Sequence, residues 1–360
     1  GHVSLQLINT KLNIPKLRSG IVSRENLLSR LSEGISTKLT LISAPPGYGK
    51  TTLVLDWLVH SGSGYPVAWV SLDESENDPI QFLLYVIAAL EKIQEDVGQD
   101  VRAILQGSQE LQIQTILSIL INDIDLIGED FVLILDDCHV IDNNEVHETL
   151  NFLIDHLPTK MHIVILTRAD PALPLARLRA NGDLVEIRAS DLAFGVDEAV
   201  EFLNTSMQLD LSNDEIQILM GRTEGWIAGL QLAALSVQGR EDVSQKISTF
   251  GGRTEYIVDY LIEEVLNKQS EEVRQFLLRT SILKRLNESL CNALTGQTSG
   301  DTILKELDQA NLFVTAVDNE YRWYRYHHLF ADLLRYQLRA QEGETRLLDL
   351  HRRAARWFEQ

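Results

Sequence analysis

The sequence predicts an α/β domain built on a parallel sheet with helices on both faces, followed by an all-α helical domain and a winged-helix domain. Three observations predict it. An apolar run at 39–43 passes through the turn Ala44-Pro45-Pro46-Gly47-Tyr48-Gly49-Lys50-Thr51 into a stretch with apolar residues at helical spacing. Four more short apolar runs, at 67–72, 131–135, 162–166 and 184–187, alternate with helical stretches, which implies a doubly wound sheet ending near residue 194. Beyond Phe194 the pattern is helical alone until an aromatic hairpin at 312–326.

Taken in order, residues 1–38 form a leader in which Ser23-Arg24-Glu25-Asn26 caps a helix over 27–32. In a nucleotide-binding fold such a leader covers the base, with backbone around Val22 as the contact. The domain at 39–194 opens on the glycine turn, which reads as a phosphate-binding loop (P-loop). Gly47 and Gly49 let the backbone curl its N–H groups toward phosphate oxygens, and the following helix presents its positive end to the same anion. Lys50 would reach the β- and γ-phosphates, and the Thr51 hydroxyl would ligate Mg²⁺. Ala44 stands where the usual pattern has Gly, and the competing reading is a tight strand-to-helix turn that carries a Lys.

Helices are expected at 80–94 and 113–124, leading to the run 131–135, whose lack of alternation marks a central buried strand. Asp136 ends that strand, expected beside the phosphate loop, where a carboxylate holds Mg²⁺ through water; Asp137 follows where an acid would orient an attacking water. Paired aspartates also terminate strands without chemistry, and for Asp137 the two readings stay open. Arg168 lies at the C-terminal end of the next run, the edge where open α/β sheets bind ligands. It either senses the γ-phosphate or pairs with a neighbouring carboxylate.

The helical domain, 195–269, is expected to hold helices at 196–204, 213–220, 226–237 and 255–266. Over 270–340 the order is three helices, a hairpin with arms 312–317 and 321–326, and a helix at 329–337, which is the order of a winged helix. It reads as a packing module. Trp226 and Trp323 read as core, and spacing alone makes His327 and His328 packing residues. Residues 341–360 begin a further helical arm, whose pattern at 347–358 stops in mid-stride, so the chain reads as a fragment of a longer protein. Gly1-His2 reads as a tag-cleavage remnant.

Composition narrows the function classes. With 360 residues, 44% hydrophobic, the chain is long enough for two or three cores. A formal charge of -20 argues against a broad nucleic-acid footprint. Cys138 and Cys291 are far apart, form no CxxC pair and suit a reducing cytoplasm; no apolar run is long enough to cross a bilayer. Cys138 reads as packing.

The residues also carry a signature. The segments KLNIPKLRSGIVSRENLL, ISAPPGYGKTTL, VAWVSLDESENDP, FVLILDDCHVI, ILTRADPALPLARLRANGDLVEI, TEGWIAGLQLAAL and RYHHLFADLLR occur in order, with LHRRAARWFEQ at the end. In these the chain resembles the N-terminal ATPase part of the MalT-like regulators, large ATP-binding LuxR-type transcription activators of the STAND class of P-loop NTPases. The resemblance implies phosphate binding by Gly47, Tyr48, Gly49, Lys50, Thr51 and Thr52. It assigns Mg²⁺ and water handling to Asp136 and Asp137, and γ-phosphate sensing to Arg168. It places Gly225-Trp226-Ile227 in a helical-domain motif that touches the nucleotide, with Ile227 where that motif normally carries Pro. It makes His327 the histidine that reaches the ADP β-phosphate in the resting state. The implied mechanism is a switch: ADP keeps the protein closed and monomeric, an inducer on a C-terminal sensor region outside this chain promotes exchange to ATP and self-association, and slow hydrolysis resets it. DNA would be bound only by a further C-terminal domain. Two other readings compete: an energy-coupling ATPase of the AAA+ kind, and a scaffold with a fixed structural nucleotide.

Overall fold

The computed structural model describes residues 6–60, 64–108 and 110–360, which fall into two compact units. One comprises residues up to 19, 23–44 and 50–192; the other comprises 20–22, 45–49 and 193–360.

In the first unit five parallel strands lie in the order β2-β3-β4-β1-β5, with β1 Leu39–Ser43, β2 Val67–Ser71, β3 Phe131–Asp136, β4 Met161–Thr167 and β5 Leu184–Arg188. Every expected apolar run is a strand. β1, β3 and β4 are buried residue by residue. Since successive side chains point to opposite faces, such strands are covered on both, which is why they read as unbroken apolar runs. The edge strand β5 is half-buried and carries Glu186 and Arg188. The crossovers that parallel pairing demands are Lys50–His60, Pro79–Glu91, Ile113–Asp125 and Asn144–Asp155.

Several local expectations are corrected. Asp136 does not end the strand next to β1, because β4 lies between them. Parallel strands nevertheless end at one sheet edge, so Asp136 still reaches the Thr51 hydroxyl, 3.3 Å away. The first helix runs Glu25–Gly34 with Arg24 at its N-cap and no side-chain cap. Ser23 is drawn away by Asp56 (3.2 Å), and the Arg24 guanidinium by the Leu192 carbonyl (2.7 Å). The helix expected at 80–94 is Pro79–Glu91, started by Asp78, whose carboxylate accepts the Ile80 N–H at 2.8 Å. Within the leader, Asn9–Leu12 forms a 3₁₀ turn against β2, with Leu12 in the core and the Lys11 ammonium 2.6 Å from the Glu76 carboxylate.

The second unit begins with helix Val196–Val200, which continues as a π-helical turn Glu201–Ser206. Helices Asn213–Thr223, Ile227–Val237, Val243–Thr249 and Glu255–Glu264 follow. The next three helices, Glu271–Thr280, Glu288–Thr295 and Gly300–Gln309, precede the antiparallel pair β6 Val314–Ala316 and β7 Tyr324–Tyr326. The hairpin arms are three residues long rather than six, because Asn311 (φ 51°), Phe313 (φ 56°) and Tyr321 (φ 52°) turn left-handed and end the pleat. The helix expected at 329–337 starts at His328 and runs on to a break at Gly343 (φ 76°), after which a second helix continues to Phe358. Trp323 is half-exposed and meets the Trp357 ring edge-on at 6.4 Å, so it is not the core residue expected; Trp226 is fully buried. Among the described residues no helix is long and apolar enough to cross a membrane.

Candidate functional site

The glycine turn between β1 and helix Lys50–His60 needs its glycines for two reasons. Gly47 (φ +82°) and Gly49 (φ +75°) are left-handed, a region costly for other residues. A Cβ on Gly47 would also lie 2.4 Å from Ala228 Cβ and 2.8 Å from Trp226 Nε1. Donors from the 226–228 segment hold the turn by its carbonyls. The Trp226 indole N–H donates to Pro46 O and the Ala228 N–H to Gly47 O, both at 2.9 Å. Tyr48 is buried with its ring centroid 6.5 Å from that of Phe313, and burial pushes its phenol up.

Lys50 begins the helix and donates to Ala44 O at 2.8 Å. Burial, and then the nearby Arg168 cation, lower its amine to about 8, while Asp137 and Asp136 pull the other way. The Thr51 hydroxyl donates to Asp136 Oδ2 at 3.3 Å, and the Asp137 N–H donates to Asp136 Oδ1 at 2.8 Å. Burial, reinforced by the Asp137 charge, pushes the Asp136 carboxyl up to about 6. Asp137 is exposed and left-handed (φ 57°), a conformation that costs a non-glycine residue energy and holds its side chain out beyond the strand end. Arg168, just after β4, is half-buried, and its backbone N–H donates to His139 Nδ1 at 3.4 Å. Thr52 is exposed on the helix. Lys50, Thr51, Asp136, Asp137 and Arg168 are thus brought together in the first unit.

The donor set fits the groups that the loop implies. A hydroxyl and a carboxylate oxygen in contact are the hard ligands Mg²⁺ prefers. Among the described residues no group of three or more His, Cys, Asp or Glu is placed to hold a metal, so Mg²⁺ here would draw its remaining ligands from phosphate and water.

Val22 and His327 lie in the second unit, and both are buried. His327 is the N-cap of the last helix: its Nδ1 accepts the Leu329 N–H (3.2 Å), and its Nε2 therefore donates to Thr223 O (2.7 Å). Burial lowers its pKa even though Glu224 lies 3.7 Å away. Both ring nitrogens are engaged, so the imidazole reaches a phosphate only by giving up Thr223. Glu224 organises the surroundings, taking Arg325 at 2.5 Å and the His328 N–H at 2.8 Å. His328 itself is exposed.

The sequence reading missed two features. Spacing reads Trp226 as core and the resemblance places it in a motif that touches the nucleotide, but neither gives its donation to Pro46 O; a buried indole N–H needs an acceptor, and that rule would have prompted a search for one. Glu224 and Gly225 are consecutive left-handed residues (φ 54° and 77°), and a Cβ on Gly225 would lie 2.4 Å from Phe194 O. The Glu-Gly step before a Trp was the available signal.

Residues 262–346 match the family model of the MalT winged helix domain, so this segment is a winged helix of that kind. Curated relatives include the HTH-type transcriptional regulator MalT of Yersinia pestis (strain Pestoides F) and that of Yersinia enterocolitica. Each is 34% identical over 351 residues, which is 97% of this chain and 38% of the relative. The chain therefore spans well under half the length of these relatives. Among solved structures, a Walker-type ATPase of Pyrococcus abyssi superposes with a TM-score of 0.61 at 20% identity, covering 89% of this chain and 98% of that one. At that identity the likeness establishes the fold, a P-loop ATPase architecture.

Proposed function

We propose, on the premise that this chain is MalT-like along nearly its whole length, that it is the nucleotide-dependent regulatory module of a transcription regulator. It rests with ADP and is switched on with ATP. The observation that carries the reading is the gathering of Lys50, Arg168 and the Thr51–Asp136 pair at the start of the helix that follows the glycine turn. Backbone from Gly47 to Thr52 would cradle the phosphates, with Lys50 exchanging the Ala44 carbonyl for a phosphate oxygen. Tyr48 contributes only its backbone to this, since its ring is buried on Phe313. Thr51 and Asp136 would hold Mg²⁺, which when bound supplies charge neutralisation at the β- and γ-phosphates. Asp137 orients water for a slow hydrolysis that resets the switch, Arg168 senses the γ-phosphate, and Val22 lies against the base.

A nucleotide shifts a two-state equilibrium only by the difference in its affinity for the two states. His327 supplies such a difference if its Nε2–H moves from Thr223 O to the ADP β-phosphate in the resting state alone. ATP then favours self-association, and an inducer and DNA are bound by parts of a longer cytoplasmic regulator outside these residues. In the full-length regulator His327→Ala should raise ATP-dependent assembly, followed by light scattering. Unchanged assembly together with unchanged ADP retention would remove His327 from this role.

A further inference from the structure

The second unit contains a cavity of about 360 Å³ where the end of helix Ile227–Val237, helix Val243–Thr249 and the start of helix Glu255–Glu264 meet. Arg240, Lys246 and Arg253 line it, in a chain whose formal charge is -20. Many cations of the chain are held by carboxylates: Arg30 by Asp191, Arg102 by Glu91, Arg177 by Asp155, and Arg279 by Glu342. Among the described residues Arg240, Lys246 and Arg253 form no ion pair; Arg253 instead sits over the Tyr336 ring, 5.5 Å from its centroid. Three uncompensated cations around one hollow repel each other, and an anion relieves that repulsion.

The hollow is built on fixed backbone. Arg222 donates to the carbonyls of Ser248 (2.8 Å) and Phe250, and the Gly252 N–H donates to Asp332 at 2.8 Å. A Cβ on Gly252 would lie 2.5 Å from the Leu333 nitrogen, so this loop is seated directly on the last helix. Thr254 precedes helix Glu255–Glu264 but does not cap it, because its hydroxyl accepts the Gly251 N–H at 3.1 Å. The first turn of that helix, whose Glu255 and Tyr256 line the cavity, therefore has no side-chain cap. Glu255 is the acidic residue in the lining, and Tyr256, 47% exposed, offers a ring at the rim.

We propose that this cavity is a binding site for a small phosphate-bearing anion, separate from the phosphate loop. Two guanidinium forks, an ammonium and a helix start match an anion with several oxygens in more than one direction. The volume suits a small ligand rather than a protein segment. None of the lining residues belongs to the nucleotide reading, so the two proposals stand or fall apart.

Isothermal titration of the intact chain with pyrophosphate, repeated on Lys50→Ala, Arg240→Gln/Lys246→Gln and Glu255→Gln, tests the site. Arg240 is exposed and Lys246 half-buried, and an unchanged melting temperature confirms that the double variant folds. Pyrophosphate binding should persist in Lys50→Ala, weaken about tenfold or more in the double variant, and tighten in Glu255→Gln. Citrate should bind more weakly than pyrophosphate. Binding that disappears with Lys50→Ala and is untouched by the double variant would overturn the proposal, as would no binding at all. Equal affinity for citrate would overturn its phosphate character.

Discussion

At the scale of single residues, the most constrained positions are those where backbone conformation and close approach act together. Gly47→Ala places a methyl 2.4 Å from Ala228 Cβ at a φ of +82°, so the 226–228 segment must move or the turn must unwind. The variant should lose nucleotide retention and melt several degrees lower, which calorimetry with and without ADP would detect. Trp226→Phe keeps one aromatic ring but deletes the donor to Pro46 O and part of a fully buried indole. It should cost about 2 kcal/mol in denaturant unfolding, from the lost bond and the space left behind, whereas Trp226→Ala should cost about 3–5 kcal/mol. His162 gives a pH dependence. Its ring is buried between β1 and β4, with Nδ1 bonded to Thr37 O (2.7 Å) and Nε2 to Thr40 Oγ1 (2.8 Å), and burial lowers its pKa to about 4. A folded pKa below the unfolded value of about 6.5 means that stability is full above pH 6.5 and falls as pH drops toward 4, by about 3 kcal/mol for this group. Unfolding midpoints measured across that range should flatten in His162→Gln; an unchanged slope would assign the dependence to other groups.

At the scale of elements, the legible parts of the chain were those where one local signal decides. β1, β3 and β4 announce themselves because burial on both faces demands unbroken apolar runs, and the order of helices around the hairpin follows from the change of periodicity after Phe194. Lys50, Thr51, Asp136, Asp137 and Arg168 were legible because strand ends of a parallel sheet share an edge. What sequence could not supply was competition between partners. Ser23 looks like a cap until Asp56 takes its hydroxyl, and the hairpin looks twice as long as it is until Phe313 and Tyr321 turn left-handed. Strand neighbours were also hidden, since nothing in residues 131–136 says that β4 will slot between β3 and β1. The loop at 250–254 is an element whose seat can be broken from one position. In Gly252→Ala the new methyl would meet Leu333 N at 2.5 Å and Leu329 O at 2.6 Å, both backbone atoms of the last helix. That variant should destabilise the second unit by about 2 kcal/mol or more, with hydrogen exchange rising first in the first turns of helix His328–Phe358.

At the scale of the whole molecule, the chain is 34% identical to a MalT regulator over 97% of its length, and its glycine turn is gripped by its carbonyls from residues 226 and 228. On the proposed reading, Lys50, Thr51 and Asp136 would serve phosphate and Mg²⁺. A ligand at 100 times its Kd adds about 2.7 kcal/mol of stability, so ADP should raise the melting temperature of the wild-type chain and leave that of Lys50→Ala unmoved. The most direct measurement is to denature the purified chain and identify the released nucleotide by chromatography. The switch reading predicts close to one equivalent of ADP, lost in Lys50→Ala. An empty site accompanied by sustained ATP turnover would contradict it and point to an energy-coupling ATPase instead.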